Sequence, residues 1–102
     1  MIPAQIAVHR ETIEAFCRRW QIVELALFGS VLTEAFGPDS DIDVLVTFSP
    51  DATWSLLDLV SMQGELEQLF GRPVDVVEKD ALRNPFRRHH ILSHKRTVYA
   101  AR

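Results

Sequence analysis

The stretch Leu27-Phe28-Gly29-Ser30-Val31, followed by Pro38-Asp39-Ser40-Asp41-Ile42-Asp43-Val44-Leu45-Val46, decides how this chain is read. The apolar run over 22–28 has strand length and stops at Gly29. Glycine lets the chain turn there and lets another group approach the backbone closely. A short helix over about 31–36, capped by Ser30, is expected next. Pro38-Asp39-Ser40 has the composition of a tight turn, and a second strand over about 41–47 opens with Asp-x-Asp.

Side chains on a strand alternate faces with period two. Asp41 and Asp43 therefore share one face, while Ile42, Val44 and Val46 share the other. Two neighbouring carboxylates repel, and each costs several kcal/mol to desolvate. A cation between them removes the conflict, and hard oxygen ligands suit Mg²⁺ or Mn²⁺. Pro73-Val74-Asp75-Val76-Val77 repeats the setting: Val74 and Val76 join the core face and Asp75 joins the acidic one. Three acids on two strands can hold two metal ions at the ~3.5–4 Å spacing used for in-line phosphoryl chemistry.

Outward from these strands the pattern is helical. Over 3–19, Ile6, Ile13, Phe16 and Cys17, with Trp20 just beyond, recur near helical spacing, and Pro3 suits a first turn. Over 54–70, Leu56, Leu59, Val60, Gln63, Leu66, Leu69 and Phe70 form one stripe, with Asp58, Glu65 and Glu67 outside it; Asp51 or Thr53 is the expected cap. Gly71 stands where a helix C-terminal glycine belongs. A third strand spans about 73–77, a last helix follows Pro85, and 97–100 reads as an edge strand or apolar cap. The alternation of helix and strand gives an α/β (α+β) domain, a small mixed sheet with helices over one face and the acid-bearing face open.

The 102 residues, 47% apolar and 25% charged, fit one soluble domain over 1–102. A net charge of -3 argues against a dedicated nucleic-acid binder. The lone Cys17 excludes an internal disulfide and reads as a small buried apolar residue in a reducing compartment. The N-terminal residues lack a secretion pattern and no apolar run spans a membrane, so a cytoplasmic location is expected. The basic end, Arg87, Arg88, Lys95 and Arg96 with His89, His90 and His94, reads as a solvated or partner-facing helix, with attraction of nucleotide phosphates or RNA as the sharper alternative.

Together, Gly29-Ser30, Ser40-Asp41-Ile42-Asp43 and Asp75 resemble the nucleotidyltransferases of the DNA polymerase beta superfamily, above all its minimal (MNT) group. The likeness runs from about residue 6 to residue 99. It implies that Asp41, Asp43 and Asp75 are the catalytic and metal-binding residues, holding two Mg²⁺ ions, with Asp75 also helping to activate an acceptor hydroxyl. It implies that the Gly29-Ser30 turn holds the β- and γ-phosphates of ATP, with Ser40 as a further nucleotide-binding candidate. Many members of the group are antitoxins paired with a HEPN-domain toxin, so the resemblance implies transfer of AMP onto such a toxin, with a tyrosine hydroxyl as acceptor.

One departure stands out. Where the family usually has an arginine and then a glycine after the Gly-Ser-Val, this chain has Thr33 and Glu34. A misplaced charge in a dry site costs ~1–3 kcal/mol of transition-state stabilisation. The competing reading is therefore a decayed antitoxin that neutralises its toxin by binding alone. A small-molecule nucleotidyltransferase ranks behind both, because no second domain is available to hold the acceptor.

Overall fold

The computed structural model describes residues 8–33, 37 and 40–101. The expected first turn with Pro3 and Ile6, the second half of the expected helix over 31–36, with Glu34, and the Pro38-Asp39 pair lie outside the described residues.

Helix α1 (Arg10–Arg19) buries Ile13, Phe16 and Cys17, the i, i+3, i+4 row that the sequence spacing marks out. Burial pushes the Cys17 thiol up to about 12, as the reading of a buried apolar residue requires. Strand β1 (Ile22–Phe28) follows, with Leu25, Ala26 and Leu27 fully buried. After a single 3₁₀ turn over Gly29–Leu32 comes β2 (Ile42–Phe48), then α2 (Leu56–Phe70), β3 (Val74–Glu78), α3 (Pro85–His94) and β4 (Arg96–Ala100).

The strands form one sheet in the order β3-β2-β1-β4. β1 runs antiparallel to both β2 and β4, whereas β2 and β3, joined through α2, are parallel. The segment over 97–100 is the edge strand β4; Glu24 of β1 ties it down, accepting from the Thr97 hydroxyl at 2.6 Å and pairing with Lys95. Burial raises the Glu24 carboxyl, but these two donors outweigh it and hold the group below its ordinary value.

The larger core lies between the sheet and α1 and α2. Ile42, Val44, Val46 and Val74 meet Phe16, Met62, Leu66 and Phe70 there, which is the face that strand alternation assigns to them. The other face carries a smaller cluster: Ala26 and Phe28 of β1, Leu45 of β2, Leu82, and Ile91 of α3, with Val77 and Leu92 against it. The acid-bearing face is thus roofed over one half by α3, because Leu45 and Val77, two residues beyond Asp43 and Asp75, are apolar and need cover.

Three local expectations are corrected. Leu56 and Val60 are exposed rather than core: they line an open groove with Val46, Phe48 and Val76, and the buried row of α2 is Met62-Leu66-Phe70. The cap of α2 is Ser55, not Asp51 or Thr53: its hydroxyl accepts from the Asp58 N–H at 3.1 Å while Asp58 accepts from the Ser55 N–H at 2.9 Å. Ser30 is not a helix cap, because the 3₁₀ turn begins at Gly29, ahead of it, with no side-chain cap. Gly71 does close α2 in the left-handed conformation, at φ 69°.

Candidate active site

The acids are brought together by register. In the parallel β2–β3 pair Asp43 stands directly opposite Asp75, and Phe28 stands opposite Asp43 on the other side. Asp41 precedes β2 by one residue and keeps the Asp43 face by alternation. Asp41 and Asp75 are exposed and Asp43 is half-buried. Burial, then the neighbouring Asp75 and Asp41 charges, push the Asp43 carboxyl above its ordinary value, and Arg87 of α3 pulls it back part of the way.

Gly29 sits against this pair. Its φ is +78°, a left-handed value that disfavours any side chain, and a Cβ there would lie 2.3 Å from Asp43 Oδ2. Glycine is needed at this turn for its conformation and because a carboxylate occupies the space beside it. The Ser30 carbonyl accepts from both the N–H and the hydroxyl of Thr33, each at 2.9 Å. That pins the 3₁₀ turn and spends the Thr33 hydroxyl on the backbone.

The turn ahead of Asp41 is held from the chain just before β3. Arg72 donates to the carbonyls of Gly37 at 2.7 Å and Ser40 at 3.2 Å. The Ser40 hydroxyl accepts from the Gly37 N–H at 3.0 Å, so one of its lone pairs closes the turn. The Ile42 N–H bonds the Pro73 carbonyl at 3.0 Å, which fixes where β2 meets β3. From α2, Gln63 donates to the Val74 carbonyl at 3.0 Å and Glu67 accepts from the Val74 N–H at 2.9 Å. Both backbone groups of the residue before Asp75 are therefore anchored. Arg72, Gln63 and Glu67 carry no motif; their role emerges only once α2 is laid beside β3.

Among the described residues no three acidic, histidine or cysteine side chains are drawn close enough to hold a metal ion as they stand. Like charges on exposed stems spread apart, and a cation is what gathers them. The donor set fits one: three carboxylates on adjoining strand positions, with the Asp43 proton held more tightly by burial and then by its acidic neighbours. A hard divalent ion among them turns that repulsion into attraction.

Residues 9–98 match the nucleotidyltransferase domain family. Protein adenylyltransferase MntA of Thermococcus cleftensis is 31% identical over 83 residues, which are 81% of this chain and 79% of that protein. A solved structure provisionally assigned as a minimal nucleotidyltransferase superposes with a TM-score of 0.70 at 36% identity, covering 85% of this chain and 86% of the other. Two structures share the fold at lower identity. A toxin–antitoxin complex with AMP-PNP has TM-score 0.72 at 16% identity, covering 93% of this chain and 76% of the other. A tri-AMPylated HEPN toxin of Shewanella oneidensis with its MNT antitoxin has TM-score 0.63 at 17% identity, covering 90% and 70%. The chain belongs to the nucleotidyltransferase domain family, in its minimal branch. Among the described residues no helix is long and apolar enough to cross a membrane.

Proposed function

We propose that this chain transfers AMP from ATP to a hydroxyl, that of a tyrosine, on a partner protein of the HEPN toxin type, and so serves as its antitoxin. The observation that carries the reading is the facing pair Asp43 and Asp75 with Asp41 alongside and the Gly29 backbone against Asp43. Support comes from the MntA relative, named a protein adenylyltransferase, and from the fold shared with an MNT antitoxin seated on an AMPylated HEPN toxin.

In this scheme the Gly29-Ser30 turn holds the β- and γ-phosphates, so that pyrophosphate leaves in line with the incoming hydroxyl. Asp41, Asp43 and Asp75 would hold Mg²⁺. Magnesium, when bound, neutralises charge building on the phosphates and makes the acceptor hydroxyl more acidic. Asp75, exposed at the open end of the acidic face, takes the acceptor's proton. The acceptor oxygen bonds the α-phosphorus as the bond to the β-phosphate bridge breaks, leaving AMP on the partner and pyrophosphate free. The chain acts as one domain in the cytoplasm, and the partner brings the acceptor.

The second reading, an antitoxin that works by binding alone, rests on Thr33 and Glu34. Thr33 offers no charge, and its hydroxyl is turned to the Ser30 carbonyl. Purified partner incubated with this chain, Mg²⁺ and ATP labelled at either the α- or the γ-phosphate separates the two. Label from the α-phosphate alone, on the partner, is the expected result. No label from either position, with the partner still neutralised, selects the binding-only reading.

A further inference from the structure

Helix α3 does more than roof the sheet. Its start is fixed by Asn84, whose side-chain oxygen accepts from the N–H groups of Phe86 at 3.0 Å and Arg87 at 3.1 Å, with Pro85 in the first turn. Ile91 is buried in the cluster with Leu45 and Val77. Arg87 is one helical turn before Ile91, so both leave the same side of α3. On the strands, Asp43 and Asp75 lie two residues before Leu45 and Val77, on the same face of the sheet. Ile91 packs in one cluster with Leu45 and Val77, so Arg87, one helical turn away on the same side of α3, is carried in the neighbourhood of the acidic pair.

Two other cations of the basic end are engaged elsewhere, and Arg96 stands on β4 opposite Leu27, a residue of the core under α1 and α2. Arg88 donates to the Lys79 carbonyl at 2.9 Å, and Lys95 pairs with Glu24. Among the described residues Arg87 forms no ion pair, and its side chain is exposed; its charge is nonetheless felt at Asp43. The Gly29-Ser30 turn itself brings no cation, since Val31, Leu32, Thr33 and Glu34 follow it. A triphosphate entering this site meets three carboxylates, with the Arg87 guanidinium as a counter-charge. The guanidinium is permanently charged and its planar fork matches two phosphate oxygens at once.

We propose that Arg87 is the chain's own phosphate-binding cation: its guanidinium, carried on the Ile91 side of α3, contacts the non-bridging oxygens of the ATP triphosphate. In position it takes over the charge that the loop after Gly29-Ser30 lacks at Thr33. The assignment rests on the nucleotidyltransferase reading and adds a residue from a different element to that site.

The test is calorimetric binding of AMP, ADP and ATP, each with Mg²⁺, to the wild type, Arg87→Gln and Arg87→Lys. Arg87→Gln should weaken ATP binding about tenfold or more, the worth of one charge-assisted hydrogen-bonded contact. The loss should shrink from ATP to ADP to AMP, Arg87→Lys should recover part of it, and the melting temperature without nucleotide should hold. Equal ATP affinity in the wild type and Arg87→Gln, or the same loss for all three nucleotides, overturns the assignment while leaving the nucleotidyltransferase reading standing. A wild type that binds none of the three nucleotides overturns both.

Discussion

Replacing Asp43 by asparagine should make the metal-free protein more stable. Neighbouring strands lie about 4.8 Å apart, and Asp43 faces Asp75 across that gap with Asp41 two residues away. Two unit charges about 5 Å apart repel by about 1 kcal/mol in water and about 3 kcal/mol at an effective dielectric of 20. Asp41 and Asp75 are exposed, so solvent screening puts the recoverable part at roughly 0.5–1 kcal/mol. For a chain of this size that is a gain of about 2–8 °C in Tm. The pH dependence has a defined sign. Burial and the two acids raise the Asp43 carboxyl, so the folded chain holds that proton more tightly than the unfolded chain does. The Asp43 contribution to wild-type stability therefore falls as pH rises from the ordinary aspartate value of 3.8 through the raised one, and stays lowered above it, superposed on the opposite contribution of Glu24. Asp43→Asn lacks that fall. Thermal melts from pH 3 to 8 in chelator, repeated with Mg²⁺ and ATP, read both effects. Ligand should stabilise the wild type by mass action and the variant far less. An Asp43→Asn protein that melts below the wild type in chelator at neutral pH, or gains as much from Mg²⁺ and ATP, refutes the idea of a repulsive cluster awaiting a cation.

Gly29→Ala forces a side chain into the left-handed region, costing about 1–2 kcal/mol, and drives its methyl group into the Asp43 carboxylate; denaturant melts should show that cost while AMP transfer falls much further. Arg72→Ala removes two charge-assisted bonds to the Gly37 and Ser40 carbonyls. It should lower stability by about 1–2 kcal/mol and speed amide exchange at residues 40–42 before it affects the rest of the sheet. The double change Thr33→Arg with Glu34→Gly restores the family's charge after the Gly-Ser turn and should raise ATP affinity by calorimetry; an unchanged or weaker affinity shows that the chain holds phosphates by another route.

Much of this was legible in order. Period-two alternation over Asp41-Ile42-Asp43-Val44 and Val74-Asp75-Val76 is a local property, so it fixes which face each acid takes before any tertiary contact exists. The match of β1 to the run over 22–28 and the closure of α2 at Gly71 are equally local. What the chain order hides is whatever depends on elements meeting. Spacing alone does not tell that Leu56 and Val60 line an open groove beside the sheet while Met62 is buried, because that depends on how closely α2 packs along its length. Glu67 reads as a solvated acid until the Val74 N–H is brought to it, and Glu65 does so until Arg19 of α1 pairs with it. The basic end is uniform in sequence, yet the fold sorts it: Arg88 bonds a carbonyl, Lys95 pairs with Glu24, and Arg87 keeps its charge in solvent, where it lowers the Asp43 carboxyl. Ser55 was passed over as a cap because Asp51 and Thr53 stand just ahead of it, and only the reciprocal bonds with Asp58 decide among the three.

The central claim is that the three acids carry out transfer of AMP to the partner. Intact mass of a HEPN-type partner co-expressed with this chain measures it most directly. With the wild type, the partner should gain whole AMP increments and lose its toxicity; with Asp75→Asn, a change at an exposed position that removes the proposed proton acceptor, the increments should vanish and toxicity return in step. A partner that stays unmodified yet is neutralised equally by the wild type and by Asp75→Asn would contradict the catalytic account and leave binding as the whole of the antitoxin's action.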